Sequence, residues 1–154
     1  MPKLYKILGY AGAIPFVFCA FELLRMTQLD PAQNSAFFRM QSIIALTQLA
    51  YAGLIASFLS GVHWAHALPK ENNAQALLAM IPTILSLVLF IAAGVMGFIA
   101  SSLLIASIGF KLIFVMDKKF LEPDWLPHDY FKFRMIITLI ACTSLLLSAI
   151  SFWI

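Results

Sequence analysis

Long apolar runs separated by short polar segments make up most of this chain. A helix that crosses a bilayer needs about 20 mostly apolar residues, and two such runs, at about 7–24 and 40–68, precede residue 70. The second run is longer than a bilayer requires, so we expect its helix to tilt or to extend beyond one membrane surface. Pro69 and Lys70 mark its end.

The segment from residue 74 to residue 110 carries no charged side chain. A single helix of this length would measure about 55 Å, which is too long for a hydrocarbon core of about 30 Å. The glycines in Ala92–Gly97 therefore predict a turn, with spans at about 76–91 and 98–116. A fifth apolar run covers about 135–153. We predict one membrane domain over residues 1–154, an all-α integral membrane protein built as a bundle of five transmembrane helices.

The basic residues predict the direction of these spans. Cytoplasmic loops of membrane proteins carry an excess of lysine and arginine. With five spans, one side would carry Lys3, Lys6, Lys70, Lys111, Lys118, Lys119, Lys132 and Arg134, and the other side Arg25 and Arg39. The N-terminus is then cytoplasmic and the C-terminus outside. Residues 117–134 form a cytoplasmic loop whose aromatic and charged side chains suit the headgroup region or a docked partner.

Composition agrees with a membrane location. Hydrophobic residues make up 62% and charged residues 11% of the chain, whereas soluble domains have about 45–50% and 25%. The net charge of +3 is small and clustered in loops, so nucleic acid is not an expected partner. Membrane lipids at the surface are expected instead, together with either other membrane-protein subunits or a second copy in a homodimer.

Two features of the spans predict how the helices pack. The second span carries a small residue every four positions, at Gly53, Ser57, Gly61 and Ala65, and small residues let membrane helices approach closely. Pro15 lies in the middle of the first span, where a missing backbone hydrogen bond is expected to kink the helix.

Polar groups recur near the cytoplasmic ends of the spans. His63 and His66 share one face of the second span, away from the small residues. Asp117 ends the fourth span and Arg134 starts the fifth. Ionisable groups in a membrane tend to pair, so we predict an Asp117–Arg134 pair with His63 nearby, and Tyr10 at the same depth. The alternative is that Asp117 and Arg134 only cap their helices at the interface.

Metal and haem chemistry receive little support. His63 and His66 lie three residues apart on one helix, so they cannot be opposite axial ligands of one haem. Zinc could be bound by His63 and His66 with Asp117 or His128, but nothing in the sequence sets the distances between helices. We predict no cofactor and no metal site, and the absence of a nucleophile motif favours a protein that is not an enzyme.

Several short segments resemble one known family. They are the stretch from Leu8-Gly9 through Ile14-Pro15-Phe16, the continuous block from Tyr51 to Trp64, which includes Ser57, Gly61 and His63, and the single residues Asp117, Pro127, Tyr130 and Arg134. The chain resembles the membrane family called domain of unknown function 3429, which includes transmembrane protein 69. The resemblance implies five spans in a bacterial inner membrane, or less readily in an organellar one. It implies no activity.

The resemblance extends the candidate cluster to His63, Trp64, Asp117, Tyr130 and Arg134. His66 departs from the family pattern, which usually has an aliphatic residue there. Three functions remain open. The first is a non-catalytic accessory, assembly or structural component of a membrane complex. The second is a small proton-coupled transporter or channel-like protein that uses His63, Asp117 and Arg134. The third is a membrane enzyme or metal binder at His63.

Overall fold

The computed structural model describes residues 1–28, 35–122 and 126–154. Its helices are α1 (Lys3–Met26), α2 (Ser35–Ala67, followed by a 3-10 turn at Leu68–Lys70), α3 (Asn73–Met96), α4 (Ile99–Phe120) and α5 (Tyr130–Ile150). All five are long and apolar enough to cross a membrane, which confirms the predicted number of spans and the all-α fold class. The direction in which they cross stays a prediction.

The segment between α4 and α5 is shorter than predicted. The sequence suggested a loop over 117–134, but α4 continues to Phe120 and α5 already begins at Tyr130; residues 123–125 of that loop lie outside the described residues. The exposed lysines at these helix ends, such as Lys118 and Lys132, do not interrupt the helices, because long cationic side chains can extend to the membrane surface. Asp117 and Arg134 therefore both lie on helices, each within about one turn of the helix end.

The two other described connections are tight turns. Between α2 and α3, Glu71 adopts a left-handed backbone with φ of 50°. The Asn72 side-chain oxygen accepts a hydrogen bond from the backbone N–H of Gln75 at 3.1 Å. Between α3 and α4, Gly97 has φ of 77°, a conformation that glycine adopts without strain. The turn predicted within Ala92–Gly97 thus lies at its last residue.

The helices form a ring with one pair packed across it. α1 packs between α2 and α5, α3 packs between α2 and α4, and α4 also packs on α5. α2 and α4 also contact each other across the ring, so both helices contribute to the centre of the bundle. Leu23, Leu103 and Leu145 are fully buried in the core.

The small-residue stripe of α2 packs only in part. A Cβ on Gly53 would lie 3.2 Å from Ser86 of α3, but one on Gly61 would meet no described atom within 4 Å. Gly61 and Ala65 are exposed, so their predicted packing role is corrected. At this end His66 and Gln75 make the α2–α3 contact instead.

Beside the exposed Gly61, α2 and α3 leave a groove of about 200 Å³, which we call the α2–α3 groove. It is lined by Ser57, Ser60, Gly61, Trp64, Ala79, Met80 and Thr83.

Side chains of α2 support the backbone of α1 around Pro15, which lies inside that helix. The Tyr51 hydroxyl donates to the Gly12 carbonyl at 2.8 Å, and Gln48 Nε2 donates to the Phe16 carbonyl at 3.0 Å. A proline in a helix disturbs the carbonyl groups of the preceding turn, and neighbouring helices can satisfy them. The Tyr51 hydroxyl therefore supports the turn that Pro15 disturbs, whereas Gln48 binds a carbonyl that follows the proline.

A buried triad of His63, Asp117 and Arg134

Three helices each contribute one side chain to a compact polar site. His63 of α2 places Nε2 at 2.8 Å from Asp117 Oδ1 of α4, and Arg134 of α5 places Nε at 2.9 Å from Asp117 Oδ2. Their exposed fractions are 1%, 2% and 7%. One carboxylate thus joins two other helices, one through each of its oxygens. We call this set the buried triad.

The contacts of the buried triad constrain how its groups hydrogen-bond. Asp117 lies between His63 and Arg134, whose guanidinium group is a fixed cation. An ionised Asp117 only accepts hydrogen bonds, so His63 must carry a proton on Nε2. With His63 neutral, the charges of Asp117 and Arg134 cancel. Neutrality matters here, because a buried uncompensated charge is strongly unfavourable.

Several polar atoms in and next to the buried triad lack a hydrogen-bond partner in the described part of the chain. They are Ser60 Oγ, His63 Nδ1, Asp117 Oδ2, Arg134 Nε, Arg134 Nη2 and Thr138 Oγ1. The Arg134 Nε contact with Asp117 is therefore a short ion pair whose N–H does not point along the line to the oxygen. In the neutral form, His63 Nδ1 presents a lone pair as an acceptor.

Two aromatic side chains, Phe120 and Tyr130, lie next to the buried triad. The Phe120 ring, in the last turn of α4, lies edge-on to the His63 imidazole with 6.5 Å between the ring centroids. Tyr130, one turn before Arg134, is partly buried and interacts electrostatically with Asp117 and Arg134. The sequence placed Tyr130 in the cluster on resemblance alone, and the structure brings it to the edge of the site.

Two other predicted members lie elsewhere. Trp64 follows His63 on α2, so it points about 100° away around the helix; it is 48% exposed and lines the α2–α3 groove. Tyr10 is 45% exposed and packs edge-on against Phe133 of α5, with 5.3 Å between the ring centroids. Neither side chain reaches the buried triad, which corrects their assignment to the polar cluster.

His66 belongs to a second network. Its Nε2 lies 3.2 Å from Lys70 Nζ, and its Nδ1 lies near the Gln75 amide, 3.2 Å from Nε2 and 3.5 Å from Oε1. A lysine ammonium only donates, so His66 Nε2 accepts and Nδ1 carries the proton of the neutral ring. The Gln75 amide is then oriented with Oε1 toward Nδ1. His66 thus joins α2 to α3 through Gln75.

The same network continues to the surface. Lys70 Nζ donates to Glu122 at 2.6 Å, beyond the end of α4. A second surface ion pair joins Lys6 of α1 to Asp129, just before α5, at 3.3 Å. The hydrogen bond and charge of Lys70 lower the pKa of the Glu122 carboxyl, and those of Lys6, with a smaller part from His128, lower the pKa of Asp129. Both carboxylates are exposed.

The structure does not assemble the zinc alternative. Over residues 1–28, 35–122 and 126–154, no group of three or more His, Cys, Asp and Glu side chains is placed to hold a metal ion. Asp117 is occupied by His63 and Arg134, His66 faces Gln75, and His128 is exposed beside Asp129. The two histidines of α2 share a face but serve different neighbours.

Sequence reasoning missed the residues that complete these networks. Gln75 and Glu122 were not singled out, although both follow spans whose ends were predicted on the same membrane side as Lys70. Gln48, which is buried in the apolar helix α2 together with a second amide side chain, Gln41, was another available signal, since a buried polar group needs a partner. Its partner, the Phe16 carbonyl near Pro15, could not be identified without the packing of α1 on α2.

The chain has one clear relationship to known proteins. No curated protein and no solved structure matches it. The likeness to transmembrane protein 69 stays a prediction. A family model described as Protein of unknown function (DUF3429) matches residues 1–150, which is the family that the short segments around Pro15, His63 and Asp117 had indicated. The chain therefore belongs to the DUF3429 family of proteins of unknown function.

Proposed function

We propose that this chain is a non-catalytic accessory, assembly or structural component of a membrane complex, located in a bacterial inner membrane with its N-terminus in the cytoplasm. The observation that carries the proposal is that one carboxylate, Asp117 of α4, contacts side chains of two other helices. Both oxygens of Asp117 are engaged by side chains of other helices, at 2.8 and 2.9 Å. Such a site holds helices in place.

The energetics of a buried ionic group fit a positioning role. Desolvation offsets most of the attraction between buried charges, so an ionic cluster adds little net stability compared with apolar side chains of similar size. Its benefit is selectivity, because a misaligned packing would leave Asp117 or Arg134 buried without its counter-charge. The buried triad thus selects one arrangement of α2, α4 and α5. A rigid scaffold of this kind suits a subunit that supports other membrane proteins.

Membrane solubilisation tests this proposal directly. The tagged full chain, extracted from its native membrane in a mild detergent and run on a native gel, is expected to migrate as a complex with other membrane proteins, identified by mass spectrometry. An untagged strain carried through the same purification controls for non-specific recovery. Recovery of the chain only as a monomer or a homodimer contradicts the proposal.

One observation favours a second candidate, the small proton-coupled transporter. His63 Nδ1 is buried and has no hydrogen-bond partner in residues 1–28, 35–122 and 126–154, so a proton could be taken up there. Protonation would give the buried triad a net positive charge. A transport cycle would therefore need a second event, such as substrate binding or solvent entry, to stabilise the charged state.

A triple apolar variant separates the two candidates. Replacing the buried triad by side chains of similar size, in His63→Leu/Asp117→Leu/Arg134→Met, should leave a folded protein, because buried ionic clusters can be replaced in this way without loss of stability. A scaffold is then expected to enter the same complex as the wild-type chain. If the folded variant instead abolishes a proton flux that the wild-type chain shows in vesicles, the transporter is the correct function.

A further inference from the structure

Lys111 occupies an unusual position in α4. It precedes the buried Asp117 by six residues, which places it about 9 Å further along the helix, away from the helix end. Its residue is exposed, and the neighbouring side chains Ile108 and Leu112 are also exposed, at 58% and 57%. In a membrane-spanning helix such an apolar exposed face contacts lipid. Lys111 therefore carries a charge on a lipid-facing surface.

Three acidic side chains at this end of the bundle are each paired with another cation. Asp129 pairs with Lys6, Glu122 with Lys70, and Asp117 with Arg134. Lys111 has no acidic partner among the described residues; its one described electrostatic neighbour is the neutral thiol of Cys142 on α5. A lysine in this situation extends its stem toward the headgroups, where phosphate is the available anion.

A second lysine lies on the same face. Lys118 follows Lys111 by seven residues, so the two point within about 20° of each other around α4. The Lys118 ammonium lies 4.9 Å from the centroid of the Phe114 ring, and Phe114 is a partly buried residue between the two lysines in sequence. Contact with Phe114 holds Lys118 against the helix. We call Lys111, Phe114 and Lys118 the lysine face of α4.

We infer that the lysine face of α4 binds the phosphate of an anionic membrane phospholipid, with the acyl chains lying along the apolar surface below it. Charge complementarity carries the inference, because two ammonium groups that have no acidic partner in the described part of the chain meet a headgroup with a net negative charge. A lipid fits better than free phosphate, since Lys111 lies among side chains that contact acyl chains. Basic sites on membrane helices bind anionic headgroups in this way.

Native mass spectrometry of the full chain tests the inference. The delipidated protein in a non-ionic detergent would be titrated with phosphatidylglycerol, and in parallel with phosphatidylcholine of the same acyl composition. We expect phosphatidylglycerol to bind at lower concentration. Lys111→Gln should weaken its binding about fivefold, the effect of one lysine near an anionic surface, while Lys111→Arg keeps the charge and should preserve binding.

Matched controls make the result decisive. Lys3→Gln removes another exposed lysine, at the start of α1, and should leave phosphatidylglycerol binding unchanged. Inorganic phosphate in large excess should not displace the lipid. Equal binding of the two lipids, an unchanged affinity in folded Lys111→Gln, or displacement by inorganic phosphate overturns the inference. If Lys111→Gln does not fold, Lys118→Gln replaces it with the same expected loss.

Discussion

Helices α4 and α5 are joined by two different kinds of contact along their length. At the end near Asp117, ionised side chains meet in the buried triad. Further along, the Ser107 hydroxyl donates to the Cys142 carbonyl and the Cys142 thiol donates to the Ser107 carbonyl, each at 3.2 Å. The second contact uses no charge and lets the two backbones approach closely through small side chains.

The difference lies in what happens when one partner is lost. Loss of a neutral side chain exposes one carbonyl that is already bonded within its helix, so the penalty is small. Loss of one member of the buried triad leaves a charge without compensation in an apolar environment, which is far more costly. At the end of the bundle near Asp117, loss of any one member of the buried triad should therefore be strongly destabilising. Elsewhere, loss of a single neutral contact should cost little stability.

The largest effect is expected for Asp117→Ala. It leaves Arg134 buried without a counter-charge, and breaking a buried ion pair in this way costs about 3–5 kcal/mol. The matched control is Asp129→Ala, which removes an exposed carboxylate at the same end of the bundle and should change stability little. Thermal unfolding in detergent, followed by circular dichroism, measures both. Similar melting temperatures for the two variants would contradict a special role of the buried triad.

Close backbone approach gives the next largest effect. A Cβ on Gly9 would overlap the tip of the buried Phe133 ring of α5, so Gly9→Ala should overpack the α1–α5 contact and cost about 1–3 kcal/mol. Gly61→Ala is the control, since its added methyl meets no described atom within 4 Å. The same unfolding assay compares them. If Gly61→Ala is the more damaging variant, the small-residue stripe packs against a second copy or another subunit after all.

Gly9 and Gly61 also show which features of the fold could be predicted from the sequence. Apolar runs and Gly97 predicted five helices correctly, because span length and turn formation are local properties. The shared depth of His63, Asp117 and Arg134 followed from the direction in which successive spans cross. The rotation of each helix about its axis depends on all neighbours at once. That is why Gly9 was recognised only within a motif and Gly61 was assigned a contact it does not make.

The same limit explains the errors around the candidate site. Trp64 is adjacent to His63 in sequence and Tyr10 lies at a similar depth, yet both are exposed. Depth along the membrane can be predicted from sequence position, whereas the side of the helix that faces the bundle cannot when nearly every face is apolar. His63 could be assigned because an imidazole is costly in lipid. An aromatic side chain carries no such signal.

A neutral contact should give a smaller loss. Tyr51→Phe removes only the hydroxyl that donates to the Gly12 carbonyl beside Pro15, and a hydrogen bond between membrane helices contributes about 0.6 kcal/mol. Tyr5→Phe, at a residue that is 58% exposed, is the control and should have no measurable effect. Both belong in the same unfolding assay as Asp117→Ala. A loss for Tyr51→Phe as large as that for Asp117→Ala would remove the distinction between charged and neutral contacts.

The smallest effect should come from the surface ion pairs, and salt and pH separate them from the buried triad. Lys70 and Lys6 lower the pKa values of Glu122 and Asp129, so these pairs stabilise the fold above the ordinary carboxyl pKa, and the contribution is lost as pH falls through the lowered values, below about 4. The double variant Glu122→Gln/Asp129→Asn should therefore have a slightly lower melting temperature than the wild-type chain at neutral pH and the same melting temperature in acid.

High salt should also remove this small difference in melting temperature, because exposed charges are screened. The deficit of Asp117→Ala should persist in high salt, since the charges of the buried triad are shielded from the solvent. A deficit of Asp117→Ala that disappears in high salt would place Asp117 in contact with water and make its contact with Arg134 another surface pair.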